Sequence, residues 1–195
     1  MAKLYFRYGA MNSSKTANAL MVAHNYKERG QRAVIVKPSV DTRDNIGVVK
    51  SRTGMQADVV TVSPDDTFAQ KIDLVNDRPD CIIVDESQFL TAKQVSELSD
   101  IVDYECIPVI CYGLRTDFQG KLFEGAEELL AAADTIEEIK TICWCGRKAT
   151  YNARVMAGRM VKDGAQVAIG GNDMYVALCR PHWKMGKLKE ADNGK

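Results

Sequence analysis

The sequence predicts an α/β protein in which helices flank a parallel sheet and a small metal-binding segment follows. Continuous apolar runs at 33–36, 81–84 and 107–113 are typical of strands that are buried on both faces. They alternate with segments of helical periodicity at 15–29 and 92–102, and this order favours a parallel sheet. Gly30 stands where a helix C′ glycine belongs.

A strong helical pattern covers 125–134, and shorter patterns predict strands at 3–8 and 59–62 and a helix from Asp65 or Asp66 to about Val75. Residues 38–57 lack a clean period and are expected to form a long polar loop. After about residue 141 short segments rich in turn residues replace this pattern. We therefore predict two domains, at 1–141 and 142–195.

Composition and charge limit the classes of partner. Lys plus Arg and Asp plus Glu both total 26, so the net charge is zero, which argues against broad nucleic-acid binding. The N-terminal residues have no signal-peptide pattern, and no apolar run approaches the roughly 18 residues of a membrane span. We expect a cytoplasmic protein with neither nucleic-acid nor membrane partners.

A phosphate-binding loop is predicted between the first strand and the first helix. Its eight residues are Gly9, Ala10, Met11, Asn12, Ser13, Ser14, Lys15 and Thr16. They match the P-loop pattern G-x4-G-K-[ST] except at Ser14, where the pattern has its second glycine. Lys15 would reach the nucleotide phosphates and Thr16 would bind Mg²⁺. The sheet is thus expected to be a P-loop, RecA-like sheet, although a simple Ser/Gly turn remains the alternative.

Two carboxylates follow the apolar run at 81–84. Asp85 and Glu86 are placed at the carboxyl edge of a buried strand, where ligands bind in open α/β sheets. Next to a P-loop, an acid there usually supports Mg²⁺, and its neighbour is a candidate base for an attacking hydroxyl or water. A solvated strand end is the alternative.

Four residues near the C-terminus have the chemistry of a zinc site. Cys143 and Cys145 form a C-x-C pair, and Cys179 and His182 form a C-x2-H pair. Such a set suits tetrahedral, structural zinc, although three unrelated cysteines and a surface histidine remain the alternative. The other cysteines, Cys81, Cys106 and Cys111, lie in apolar stretches and are expected to be buried.

In combination these motifs resemble the type II thymidine kinase family, the human cytosolic and bacterial form. The resemblance covers essentially the whole chain. It rests on five motifs in order, which are GAMNSSKT, VDTR at 40–43, IIVDESQFL at 82–90, YGLRTDFQGKLF at 112–123, and CWCGRKA followed by IGGNDMYVALCRPH. It implies transfer of the γ-phosphate of ATP to the 5′-hydroxyl of thymidine, which gives thymidine monophosphate in pyrimidine deoxynucleoside salvage.

The resemblance also implies roles on the ATP side. Lys15 and Thr16 would hold the phosphates and Mg²⁺, and Asp85 would support that ion through water. Glu86 would accept the proton of the 5′-hydroxyl, with Ser87 and Gln88 beside it at the nucleotide. The second phosphate-side element would be Asp41, Thr42 and Arg43, with Arg43 adding positive charge over the transferring group.

On the thymidine side, the resemblance implies a pocket of side chains closed by the zinc-tied lasso loop. Met11 and Phe89 would shape it, and Phe118 would stack on the thymine. The remaining implied contacts are Leu114, Phe123, Gln166, Val167, Ala168, Ile169, Gly170 and Tyr175. Core packing is the alternative for each aromatic ring. The family further implies a homotetramer and feedback inhibition by thymidine triphosphate.

Two rival functions follow from the same residues. In a nucleic-acid-dependent P-loop ATPase with a zinc ribbon, Asp85 and Glu86 would activate water. In a non-catalytic binding protein, the P-loop would no longer be functional because Ser14 replaces its glycine. ATP turnover that requires thymidine and ignores DNA would separate the kinase from both.

Overall fold

The computed structural model describes residues 1–41, 47–167 and 174–189. Its strands are β1 (Leu4–Tyr8), β2 (Ala33–Pro38), β3 (Val48–Lys50), β4 (Gln56–Asp58), β5 (Val60–Val62), β6 (Cys81–Val84), β7 (Val109–Gly113), β8 (Thr135–Glu138), β9 (Thr141–Ile142), β10 (Lys148–Ala149), β11 (Tyr151–Met156), β12 (Arg159–Val161) and β13 (Tyr175–Leu178). Its α-helices are α1 (Lys15–Glu28), α2 (Phe68–Lys71), α3 (Ala92–Tyr104), α4 (Glu124–Ala132) and α5 (Arg180–Met185), and a 3₁₀ turn covers Ser87–Phe89.

A six-stranded parallel sheet forms the centre of the molecule, in the order β5-β2-β6-β7-β1-β8. In register, Val36 of β2 lies opposite Val84 of β6, and Val84 lies opposite Cys111 of β7. The parallel alignment brings the carboxyl ends of these strands to one edge. The P-loop residues after β1 and the carboxylates after β6 therefore share that edge.

Helices cover both faces of the sheet, as the alternating pattern predicts. One face packs Phe6, Ile82 and Val109 against residues of α3 and α4. The other face packs Ile83, Ile110 and Tyr112 against α1. Successive side chains of one strand, such as Ile82 and Ile83, therefore pack against helices on opposite faces of the sheet. The predicted α/β class is confirmed.

The chain after residue 140 forms smaller pieces. Strands β9 and β10 pair antiparallel, and β11 pairs antiparallel with both β12 and β13. Buried Ala149, Ala153 and Leu178 pack beside Cys143 and Cys179 in a small cluster of their own. Short strands with small apolar side chains bury little surface, which fits a segment that a metal ion is expected to hold together.

Two expectations about the elements were wrong, and one strand of the central sheet was missed. The expected polar loop at 38–57 contains an antiparallel hairpin, β3–β4, whose Val49 is buried against the α1 face. The expected helix to Val75 is only α2, because Thr67 is its N-cap and Ile72 is already extended. Strand β8 was not predicted, because its sequence TIEE is half exposed at the edge of the sheet.

Cys106 is also a correction. Cys81 and Cys111 are buried as expected, but Cys106 is exposed. It lies in the turn after α3 with φ of 52°, where the chain reverses toward β7, so its side chain leaves the core. Within the described residues, no helix is long and apolar enough to cross a membrane.

Candidate active site

The loop between β1 and α1 is held by close backbone contacts at Gly9 and by hydrogen bonds from Lys15 to its carbonyl oxygens. Gly9 N–H donates to the Gly113 carbonyl at 3.2 Å, and a Cβ at Gly9 would lie 2.4 Å from the Ile139 carbonyl oxygen. The Lys15 ammonium group is buried and donates to the carbonyl oxygens of Gly9 and Ala10, both at 3.0 Å. Only glycine fits at the first position of the loop.

Ser14, the one residue that departs from the P-loop pattern, has a left-handed backbone with φ of 62° and ψ of 29°. Glycine adopts this region freely, whereas a residue with a Cβ is destabilised there by about 1–2 kcal/mol. The Ser14 hydroxyl makes no capping hydrogen bond to α1 that would offset this cost. Asn12 is left-handed as well, with φ of 67°. The loop therefore keeps the glycine-type backbone without the glycine.

The carboxylates at the end of β6 lie beside the start of α1. The Thr16 hydroxyl donates to Asp85 Oδ2 at 2.7 Å, and Asp85 Oδ1 accepts from the Glu86 N–H at 3.0 Å. Asp85 is 2% exposed. Burial, and then the neighbouring Glu86 carboxylate, raises the pKa of Asp85 to about 6, against the lowering effect of the Thr16 hydrogen bond. A hydroxyl and a buried carboxylate at this distance supply oxygen ligands of the type that Mg²⁺ prefers.

Glu86 adopts a left-handed backbone, with φ of 52° and ψ of 36°. Its Oε2 accepts a hydrogen bond from Gln88 Nε2 at 2.6 Å, and Gln88 Oε1 accepts from the Leu114 N–H at 2.9 Å. Ser87 is fully buried and donates to the Tyr112 carbonyl at 3.0 Å. These bonds fix the carboxylate of Glu86 relative to the chain that follows β7.

Glu86 faces a cleft with mainly apolar walls that also contains the side chains implied for thymidine. Every described member of that set lines it, namely Met11, Phe89, Leu114, Phe118, Phe123, Gln166, Val167 and Tyr175. Asp41 lines it too, and its carboxylate pairs with the buried Lys37 at 3.0 Å. The remaining implied residues, Thr42, Arg43, Ala168, Ile169 and Gly170, lie outside the described residues.

Two polar residues of the cleft were missed. Asn152 is 4% exposed, accepts from the Met11 N–H at 2.8 Å and donates to the Thr116 carbonyl at 3.2 Å. Asp117 is 2% exposed and accepts from Gln166 Nε2 at 3.0 Å. Asp117 lies inside the motif at 112–123, which is the signal that pointed to it, whereas nothing local to Asn152 places it beside the P-loop.

The predicted metal ligands come together in the structure. One ligand atom from each of Cys143, Cys145, Cys179 and His182 lies within 4.8 Å of the others. Cys145 Sγ and Cys179 Sγ are 3.9 Å apart, and Cys143 Sγ and His182 Nδ1 are 3.4 Å apart. Zinc–sulfur bonds of about 2.3 Å in a tetrahedron give edges of about 3.8 Å, so the set fits zinc. The cysteines are free thiols rather than disulfides.

Helix α5 connects this cluster to the cleft. His182 stacks on Trp144, with ring centres 4.3 Å apart and planes 2° apart. The next residue, Trp183, donates its indole N–H to the Phe118 carbonyl at 3.1 Å and stacks on Tyr151. Consequently, a shift of α5 would move a wall of the cleft.

A parallel sheet with a P-loop after its first strand and a hydroxyl–carboxylate pair at its carboxyl edge defines a P-loop α/β protein. Comparison with known proteins narrows this class. The family model described as thymidine kinase matches residues 2–183. The chain therefore belongs to the thymidine kinase family, whose members are nucleoside kinases and hence phosphotransferases.

Individual relatives cover almost the whole chain. A thymidine kinase of Xanthomonas axonopodis pv. citri is 53% identical over 188 residues, which are 94% of this chain and 90% of the relative. A thymidine kinase of Rhodopirellula baltica is 48% identical, over 99% of this chain and 93% of its own. One of Streptococcus pyogenes serotype M3 is 46% identical, over 94% and 97% respectively.

Proposed function

We propose that this protein transfers the γ-phosphate of ATP to the 5′-hydroxyl of thymidine. One observation carries the proposal. Glu86 lines the same cleft as Phe118 and Tyr175, while its neighbour Asp85 is hydrogen-bonded to Thr16 of the P-loop. The bond between Asp85 and Thr16 supports this assignment, because it brings the carboxylate that we assign as the base close to the loop that we assign to the phosphates.

The chemistry assigned to Glu86 is proton acceptance. Its carboxylate takes the proton of the 5′-hydroxyl as that oxygen bonds to the γ-phosphorus and the bond to the β–γ bridging oxygen breaks. ADP leaves and thymidine monophosphate remains. Because the transition state of phosphoryl transfer is loose, the protein mainly positions the reactants and neutralises charge.

Charge neutralisation falls to the P-loop and the strand end. Lys15 and the loop N–H groups would hold the phosphates, as helix N-termini do for anions. Thr16 and Asp85 are the residues that would hold Mg²⁺, which when bound neutralises charge on the β- and γ-phosphates. Asp41, with Thr42 and Arg43 after it in the chain, would complete the phosphate side.

The thymidine side belongs to the cleft. Met11, Leu114, Phe89 and Phe123 supply apolar walls, and Phe118 is assigned as the stacking partner of the base. Residues 166–170 and Tyr175 would complete the pocket over the nucleoside. Zinc held by the cysteine–histidine cluster would fix this segment without touching the substrate, because all four protein ligands are used and no position remains open.

The wider biology is part of the same proposal. We infer a phosphate-transfer domain at 1–141 and a zinc-tied lasso domain at 142–195. The protein would act in the cytoplasm as a homotetramer, serve nucleotide salvage for DNA synthesis, and be inhibited by thymidine triphosphate.

A steady-state assay tests the function. ATP consumption is measured with Mg²⁺ and each of a panel of nucleosides, with single-stranded DNA as a separate additive. Thymidine is expected to stimulate turnover and to yield one thymidine monophosphate per ADP, while DNA has no effect. Stimulation by DNA alone would favour the ATPase, and thymidine binding without turnover would favour a binding protein.

A further inference from the structure

Arg154 is a buried cation in the middle of β11. The residue is 4% exposed and lies between its register neighbours Val161 of β12 and Tyr175 of β13. Among the described residues, no carboxylate lies within salt-bridge distance of its guanidinium group. A buried charge is costly unless hydrogen bonds satisfy it, so the groups that satisfy Arg154 must be well placed.

Those groups belong to the walls of the cleft or lie next to them. The guanidinium carbon lies 3.7 Å from the centre of the Phe118 ring. Its Nε donates to the Tyr175 hydroxyl at 3.0 Å, Nη1 donates to the Ala165 carbonyl at 2.9 Å, and Nη2 donates to the Gln166 carbonyl at 3.2 Å. Phe118, Tyr175 and Gln166 all line the cleft, whereas Arg154 itself lies behind them.

The planar shape of the guanidinium group is what makes these contacts simultaneous. Three nitrogens donate in three fixed directions, and the flat face stacks on an aromatic ring. A lysine ammonium group would keep the charge but would lack the plane and the fork. The requirement at position 154 is therefore geometric as well as electrostatic.

We propose that Arg154 is a positioning residue for the nucleoside, which holds Phe118, Tyr175 and residues 165–166 in their binding arrangement before the substrate arrives. The inference rests on the proposed function, because it assigns thymidine to this cleft. Arg154 touches neither the phosphates nor the reacting hydroxyl. It acts on affinity by removing the cost of ordering three separate pieces of the wall when thymidine binds.

The test compares Arg154→Lys with Arg7→Lys. Arg7 is a matched control because it also approaches two tyrosine rings and donates to a tyrosine hydroxyl, yet it pairs with Glu137 on a strand away from the cleft. We expect R154K to raise the KM and the Kd for thymidine about tenfold or more, since several groups lose their order, and to leave kcat and the KM for ATP within about threefold. R7K should leave the thymidine KM unchanged.

A folded R154K with normal thymidine affinity, or an equal loss in R7K, would overturn the proposal. If R154K does not fold, Tyr175→Phe tests the same contact from its other side, because it removes the hydroxyl that Arg154 Nε binds and keeps the ring in the wall of the cleft. We expect Y175F to raise the KM for thymidine about threefold, and an unchanged KM contradicts the proposal. When both variants fold, their effects should be less than additive, since they break the same contact. Failure of the unmodified protein to phosphorylate thymidine would instead refute the proposed function.

Discussion

The Thr16 hydroxyl and the Asp85 carboxylate are joined by a 2.7 Å hydrogen bond, although 69 positions separate them in the chain. This bond ties the first turn of α1 to the end of β6. It brings the P-loop and the acidic pair Asp85 and Glu86 together at one edge of the sheet.

Replacing Asp85 should stabilise the folded protein while destroying its activity. The pKa of Asp85 is raised by burial and by Glu86 to about 6, above the ordinary 3.8. The folded state thus binds this proton more tightly than the unfolded state, and stability falls as the pH rises from about 4 to about 6. In Asp85→Asn that loss is absent.

At pH 7.5 the free energy of unfolding of D85N should exceed that of the parent protein by on the order of 2 kcal/mol. We expect D85N to melt several degrees above the parent in metal-free buffer at that pH, and the two melting temperatures to converge near pH 4. A constant difference across the pH range would show that the carboxylate charge is not the cause.

Glu86→Gln should separate chemistry from binding. The amide keeps the shape of the side chain and an oxygen for the Gln88 hydrogen bond, but it cannot take a proton. We expect kcat to fall by about 10²–10⁴-fold, the usual contribution of a general base, with thymidine Kd nearly unchanged. Exposed Glu127→Gln on α4 is the control. Near-normal turnover in E86Q would remove Glu86 from this role.

Ser14→Gly should make the protein more stable. Glycine relieves the left-handed conformation of φ 62°, a gain of about 1 kcal/mol. For a chain of this length such a gain raises the melting temperature by about 2–4 °C. Ser14→Ala keeps a Cβ and should melt with the parent protein. Equal stabilisation by both variants would mean that the hydroxyl, rather than the backbone, is unfavourable.

Loss of zinc should weaken thymidine binding more than catalysis. Cys179→Ser removes a ligand and frees α5, whose Trp183 is bonded to the Phe118 carbonyl. We expect the KM for thymidine to rise about tenfold, because the wall must be ordered on binding, with a smaller change in kcat. Cys106→Ser, an exposed cysteine outside the cluster, should change neither value. Metal analysis showing zinc absent with KM unaltered would contradict this expectation.

Much of the central sheet was predictable because strands buried on both faces leave an apolar run. The apolar runs of β6 and β7 are recognisable in the sequence for this reason. The P-loop was also predictable, because Ser14 keeps the spacing of the motif and adopts the left-handed conformation that its glycine would have. Strand β8 escaped prediction because TIEE carries as many carboxylates as apolar or hydroxyl side chains. Its place at the sheet edge comes from pairing with β1, which no local pattern encodes.

The cleft was predictable only in part for a similar reason. The five motifs pointed to the aromatic walls, and the structure places their described members together. Arg154 and Asn152 lie between motifs, in a strand of mixed composition. Asn152 bonds to residues 36 and 141 positions away, and Arg154 stacks on Phe118, so only the folded chain reveals what these two residues do.

The chain contains two tryptophans, and both lie at the cysteine–histidine cluster. Trp144 rests on His182, while Trp183 is bonded to Phe118. Indole fluorescence therefore originates from this corner of the molecule, with one ring beside the metal ligands and the other beside the cleft. The protein carries a built-in optical probe, by which metal loading and ligand arrival can be followed in the unlabelled protein.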